Sequence, residues 1–260
     1  KANEFCANRG DWITMIDYLE YCALQALCYI EYANFDNQAT LNVNLTSDGF
    51  KQGGLGAGVT NLNWERWTAF NGNNPIVQTY WTAEHNIGNG STNGDHYELG
   101  NYNADGSNLN TYPAIYRGIL NFFGDIWTFI RDVVIINKDK DYNYVYILKK
   151  GVNYADVTKD NVNEKCYLIG YQANTNDFIT EFDFQRGVYF IPNKVGSNKK
   201  ADYNWKGGDN EQDTDKAARV LLRGGSANHG SGAGSGDFDS DWARSVSYAH
   251  IGFFTTVKLD

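Results

Sequence analysis

The stretch RVLLRGGSANHGSGAGSGDFDSDWARSVSYAHIGFFTTVKL, residues 219–259, opens and closes on β-branched and aromatic runs and carries small and polar residues between them. Apolar runs of that kind bounded by glycine clusters read as strands, so Arg219 to Leu222 and Ile251 to Val257 are predicted strands. The middle, Asn228 to His250, is punctuated only by Phe238, Trp242, Val246 and Tyr248 as large apolar groups. This predicts a long ordered excursion held at both ends by a sheet. Such loops usually carry binding, because contact residues must reach solvent without dismantling the core.

Working back along the chain, β-rich runs predict further strands at Tyr144 to Leu148, Cys166 to Tyr171 and Gly187 to Ile191. The polar stretch from Val195 to Lys216, with Gly207-Gly208, predicts a surface loop or an insertion. In IYRGILNFFGDIWTFI, residues 115–130, the positions Ile119, Phe122, Phe123, Ile126, Trp127 and Ile130 keep helical spacing. A second stripe runs through Trp12, Ile16, Leu19, Ala23, Ala26, Leu27, Ile30 and Ala33 and predicts a helix from Asp11 to Ala33, with Asp11 as N-cap. From Phe35 to about Asn110 the chain is rich in Gly and Asn, with Trp64, Trp67, Tyr80 and Trp81 as anchors, and predicts loops and short strands. No tandem repeat is found. The predicted class is α+β: two main helices packed on short antiparallel strands, loop-rich because 31 asparagines favour turns.

Composition narrows the function classes. Of 260 residues 42% are hydrophobic and 15% aromatic, enough to build a core and exclude a disordered chain. The formal charge is -9 and the 22 Lys and Arg are scattered, which argues against a nucleic-acid partner. No apolar run reaches the roughly 18 residues of a membrane span, so no membrane insertion is expected. A start at Lys1 rather than Met predicts that an upstream segment has been removed. Cys6, Cys22, Cys28 and Cys166 form no CxxC pair, and two lie in the first helical stripe, so neither a disulfide framework nor a zinc site is expected.

Short motifs give little chemistry. Arg9-Gly10-Asp11 matches an adhesion tripeptide but sits at the predicted helix start. GGLGAG, Gly53 to Gly58, lacks GxGxxG spacing and a preceding strand, and reads as a flexible turn. His85 and His96, near Glu84 and Asp95, sit in polar loop sequence. Asp237, Asp239 and Asp241 alternate near His229 and His250, yet the Gly and the final Glu of a calcium-binding EF-hand are missing. Ser226 and Ser231 lack a nucleophile elbow, and Cys166 lacks evident His and Asn partners. No catalytic residue, cofactor or metal is predicted.

Residues 115–130 resemble the "GL-x-N-x-x-GN-x-W-x-W" segment of the formylglycine-generating-enzyme type of C-type lectin fold, and RVLLRGGSA with IGFFTTVKL resembles its closing "RVLRGGSW … GFR". Residues 223–253 resemble more closely the variable region of proteins diversified by retroelements, such as phage tail-tip receptor-binding proteins. YIEYANFDNQ is similar to the opening of such proteins. The resemblance implies one C-type-lectin-like domain over 1–260, with 138–216 as a possible insertion and 219–259 as the variable-region segment. It implies a scaffold of Arg223, Gly224, Gly225, Ser226, Gly230, Ala233, Gly234, Phe238, Trp242, Ile251, Gly252 and Phe253. Variable, ligand-binding positions would be Asn228, His229, Ser231, Gly232, Asp237, Asp239, Asp241, Val246, Tyr248 and His250. Ala227 stands where the family usually has Trp, and Phe254 where Arg commonly follows Gly-Phe.

Adenine-directed diversification of Asn codons never yields Lys, Glu, Gln, Met or Trp. Lys, Glu, Gln and Met number 31 of 260 residues, so the 23 residues from Asn228 to His250 should hold about 2.7 by composition, and they hold none. The implied function is a hypervariable receptor-binding protein, not an enzyme: a phage tail-tip adhesin or a protein of the bacterial surface or secretions, within a tail-fibre or surface assembly. Its partner would be a bacterial surface protein or glycan, with Tyr248 as the anchor. Two alternatives share the fold. A copper-dependent oxidase of cysteine would need paired thiols in the second half, where Cys166 stands alone. A calcium-dependent lectin would use Asp237, Asp239 and Asp241 as oxygen ligands.

Overall fold

The computed structural model describes residues 2–10, 12–37, 97–99, 109–111, 115–117, 119–120, 122–124, 126–137, 141–196, 202–206, 218–226, 229, 232–246, 248 and 250–257. Helix α1 (Ala2–Ala7) leads into strand β1 (Ile13–Met15) and helix α2 (Tyr18–Tyr32). Two short antiparallel pairs follow, β2 (Tyr97–Leu99) with β3 (Leu109–Thr111) and β4 (Ile115–Tyr116) with β5 (Ile119–Leu120). Then come β6 (Trp127–Asn137), β7 (Tyr142–Leu148), a 3-10 turn at Tyr154–Asp156, α3 (Val162–Lys165), β8 (Cys166–Ala173), β9 (Asp177–Gln185), β10 (Tyr189–Val195) and β11 (Tyr203–Trp205). The chain closes with β12 (Arg219–Arg223), β13 (Phe238–Asp239), β14 (Ile251–Gly252) and β15 (Thr255–Val257).

The main sheet has the order β10-β9-β11-β13-β12-β6-β7-β8, with β14 added in parallel at the start of β6. It curls until its edge strands meet, giving a nearly closed barrel. The seam lies at Gly170 of β8, where an added Cβ would fall 2.7 Å from both Gln185 Cγ and Ile191 Cδ1. Arg186 Nη2 donates across it to the Leu168 carbonyl (3.1 Å).

Strand β6 is buried on both faces, which is why its Val133-Val134-Ile135-Ile136 run shows no polar alternation. Val133 and Ile135 face the core capped by α2, with Tyr18, Tyr21, Ile169, Ile191, Leu221 and Phe238. Val134 and Ile136 face an outer core closed by Val157, Val162 and Cys166 around the 3-10 turn and α3. This strand replaces the second helix expected over 115–130, where the structure has β4, β5 and the first residues of β6. A short apolar run at 3.6 spacing also fits a strand covered on both faces. Left-handed backbone at Arg117 (φ 47°) and Gly124 (φ 82°) breaks the segment into turns. Among the described residues α2 is the one main helix, so the expected pair is not found there.

That helix starts six residues later than expected. Asp17, not Asp11, is its N-cap, in a reciprocal capping box: the Glu20 N–H donates to Asp17 Oδ1 and the Asp17 N–H to Glu20 Oε2, each at 2.9 Å. Asp11 lies outside the described residues, and β1 takes the segment before the cap into a pair with β15. The buried face is also different. Tyr18, Tyr21, Cys22, Gln25, Cys28 and Tyr29 pack inward, while Leu19, Leu27 and Ile30 face out, Ile30 at 77% exposure. The cause is the core beneath, which holds a buried arginine and carboxyls and needs aromatic side chains with polar tips.

The stretch 138–216 supplies β7 to β11 of the same sheet as β12 and β13. Within the expected loop from Val195 to Lys216, β11 pairs with β9 and buries Asn204, whose amide bonds the Ala173 and Thr175 carbonyls. Sequence reading also missed β9. All four cysteines are free and buried. No helix among the described residues is long and apolar enough to cross a membrane. The glycines 53–58, His85 and His96 lie outside the described residues.

Candidate functional site

The excursion between β12 and β14 is tied down at three places. The first is its foot. Gly224 and Gly225 leave β12 with φ of 91° and 73°, and a Cβ on Gly225 would fall 2.6 Å from Asp237 Oδ2 and 2.9 Å from Ala233 Cα. Only glycine meets both demands. The turn Gly234-Ser235-Gly236 wraps Asp202 closely enough that a Cβ on Gly234 would fall 2.1 Å from Asp202 Oδ1. Asp202 accepts the Gly236 N–H (2.8 Å) and the Tyr29 hydroxyl (2.9 Å). Strand β13 then slots between β11, in parallel, and β12, antiparallel.

Arg223 organises this foot. Its guanidinium sits among the rings of Tyr18, Tyr21 and Phe238, 5.8, 5.1 and 5.2 Å from their centroids, and is fully buried. Nη2 donates to Gln25 Oε1 (2.7 Å) and to the Ser235 carbonyl (3.1 Å), joining α2 to the excursion.

The second tie is at 241–246. Asp239 accepts the Asp241 N–H (2.7 Å) and the Trp242 indole N–H (2.8 Å). The Val220 N–H donates to the Trp242 carbonyl, and Arg219 Nη1 to that of Asp241. Arg244 Nη1 reaches the Tyr154 and Ala155 carbonyls, both at 3.0 Å, so the 3-10 turn after β7 braces the excursion from below. At the third tie the Trp127 N–H donates to the His250 carbonyl (2.8 Å), and β14 pairs with β6.

Between these ties lies an aromatic floor. His229 stands between Trp127 and Trp205, at centroid distances of 4.9 and 5.0 Å, and its Nδ1 accepts the Ser226 N–H (3.2 Å). Enclosure by the rings, with His250 adding a smaller repulsion, lowers its pKa to about 3, so the imidazole is neutral with its proton on Nε2. Tyr248 stacks on His250 (5.4 Å, 13°) and meets Trp242 edge-on (5.3 Å).

Burial sorts the expected variable positions. Asp241 and Tyr248 are exposed, Tyr248 at 45%, with Ser245 beside them in the chain; Val246 and His229 are half-buried. Gly232, Asp237, Asp239 and His250 are buried, so the alternating Asp trio does not share a solvent face. The reason is that β13 is an interior strand with partners on both sides. Asn228, Gly230 and Ser231 lie outside the described residues. The expected scaffold residues Arg223, Gly224, Gly225, Ser226, Ala233, Gly234 and Phe238 are buried, and Trp242, Ile251, Gly252 and Phe253 half-buried.

No group of three or more His, Cys, Asp or Glu among the described residues converges to hold a metal ion. Burial raises the thiols of Cys22 and Cys166 to about 11 and of Cys28 to about 12, so they are poor nucleophiles. Sequence reading missed Asp202, Trp205 and Arg244. No signal marked them, since each acts through a partner distant in the chain.

No family model, curated protein or solved structure matches this chain.

Proposed function

We propose that this protein is a receptor-binding module, not an enzyme, whose recognition face is the outer part of the 224–250 excursion. The observation that carries this reading is the contrast within one segment: residues 232–240 are locked into the core, while Asp241, Ser245 and Tyr248 stand in solvent on that base. A binding face on a preformed foot loses little conformational entropy on association. Tyr248 offers an aromatic ring with one face against His250, held at its edge by Trp242, and Asp241 adds a carboxylate. Anchors of this kind dominate interface energetics.

Within this reading the fold is a C-type-lectin-like domain of the formylglycine-generating-enzyme type. The features that favour it are α2 against the sheet, the β1–β15 pairing near the chain ends and an excursion nested between β12 and β15. The segment is diversified by a retroelement, the module belongs to a phage tail tip or a bacterial surface, and the target is a bacterial surface protein or glycan.

Flow cytometry of labelled protein on a panel of bacterial cells tests this. Wild type should stain some strains, Tyr248→Ala should lose most of the signal while unfolding at an unchanged urea midpoint, and EDTA should leave staining intact. Full staining by Tyr248→Ala would refute the assigned face, and loss with EDTA restored by calcium would favour the lectin alternative. Neighbouring DNA should encode a reverse transcriptase and an adenine-rich near-copy of codons 219–259.

A further inference from the structure

Among the described residues, the buried acidic and basic side chains around the excursion are Asp202, Asp237, Asp239, Arg223 and His250. The guanidinium of Arg223 bears on two of the three carboxyls, Asp202 and Asp237. Asp237 is the extreme member, because neither carboxyl oxygen has a hydrogen-bond partner and the group is fully buried beside Gly225. An ionised carboxylate so placed carries a large desolvation cost.

The neighbours do not cancel that cost. From β12 comes Arg223, whose Nη2 donates to Gln25 and Ser235 rather than to a carboxylate. Helix α2 contributes Tyr21 and Tyr29, β11 and the residue before it contribute Tyr203 and Asp202, the turn after α2 contributes Asp36, and the excursion itself contributes Asp241. All of these but Arg223 are neutral or negative.

We propose that the foot of the excursion is a proton-dependent latch: Asp237 and Asp239 enter the core as neutral acids, and loss of their protons in alkaline solution opens residues 232–242 while β6, β7 and β8 stay paired. Burial, reinforced by Asp239 and Asp202, holds Asp237 well above the ordinary carboxylate range. Burial raises Asp239 to about 7 against the two N–H groups that favour its charged form. Asp202 is raised to about 6, again by burial, and follows the same sense. With folded pKa above unfolded pKa, the stabilisation is complete in acid and is lost as pH rises through the folded value. That the latch controls recognition rests on the binding reading; the latch itself does not.

Hydrogen exchange with mass spectrometry of the full chain reads it directly. For Asp239 alone, a shift from about 3.9 to about 7 lowers the protection factors of 232–242 by about thirty-fold between about pH 5.5 and about pH 8.5, with β7 and β8 unchanged. Asp237→Asn, which copies the neutral acid, should match wild type at the acid end. Asp239→Asn gives up one accepted hydrogen bond at every pH but should flatten the dependence, so the slope and not the level is the readout. Protection independent of pH in wild type overturns the latch. So does collapse of Asp237→Asn at acid pH, or alkaline protection restored by added calcium in wild type but not in Asp237→Asn, since a cation would then balance the charge. If protection changes as expected and no cells are stained at any pH, the latch stands and the receptor-binding reading fails.

Discussion

Replacing Gly225 by alanine separates two costs that the structure superimposes at one residue. Its φ of 73° costs an L-residue about 1–2 kcal/mol. The new methyl would lie 2.6 Å from Asp237 Oδ2 and 2.9 Å from Ala233 Cα, backbone that cannot swing aside, and overpacking of this kind costs about 1–3 kcal/mol. Gly151 is the control, with φ of 81° and nothing within 4 Å of its added Cβ among the described residues. Gly151→Ala should therefore lose about 1–2 kcal/mol and Gly225→Ala about 3 kcal/mol, a midpoint fall of roughly 6–12 °C for the latter. Urea unfolding followed by tryptophan fluorescence gives both values, with unchanged m confirming a like-for-like comparison. Equal losses in the two variants would refute close packing between the start of the excursion and Asp237.

Arg223→Met should cost about 3–5 kcal/mol in the same assay, because Gln25 and the Ser235 carbonyl lose their donor and Asp202 and Asp237 lose the cation that bears on them; a loss below about 1 kcal/mol would show that the arginine is dispensable. Ile30→Glu, on the outer face of α2, should change stability by less than about 0.5 kcal/mol, whereas Tyr21→Ala, on the inner face, should cost about 3–5 kcal/mol; the reverse order would return α2 to the Leu-lined face. His229 has a folded pKa below its unfolded one, so its stabilisation is present above about pH 6.5 and is lost as pH falls toward 3. His229→Gln should flatten that acid limb in urea titrations, and an unaltered limb would place the acid sensitivity elsewhere.

The sequence was most informative where one physical demand acted alone. The runs at 144–148, 166–171 and 219–222 are β-branched or aromatic and lie inside β7, β8 and β12. Gly224-Gly225 marked a sharp departure, and both have left-handed backbone. Reading failed where tertiary partners reversed a local preference. The Leu side of α2 faces out because Arg223 and Asp202 favour Tyr29, Gln25 and Tyr21 beside them. Asp237 and Asp239 read as surface carboxylates because no local feature shows that the two-residue strand beginning at Phe238 will be flanked by strands on both sides. Asp241 and Tyr248, expected at the surface, are exposed; the buried groups that hold this segment were not foreseen.

The order β11-β13-β12 has a consequence for mutational tolerance. Along the hydrogen-bonded path of the described strands, the two residues of β13 alone join β10-β9-β11 to β12-β6-β7-β8. They work as a keystone, so the exposed residues proposed for recognition come directly after the piece that the described sheet can least spare. On the proposed reading, variation is best tolerated at the exposed positions Asp241, Ser245 and Tyr248. Changes that break β13 split that path in two, so a library randomised across the whole excursion would lose most of its members to misfolding before binding could be selected.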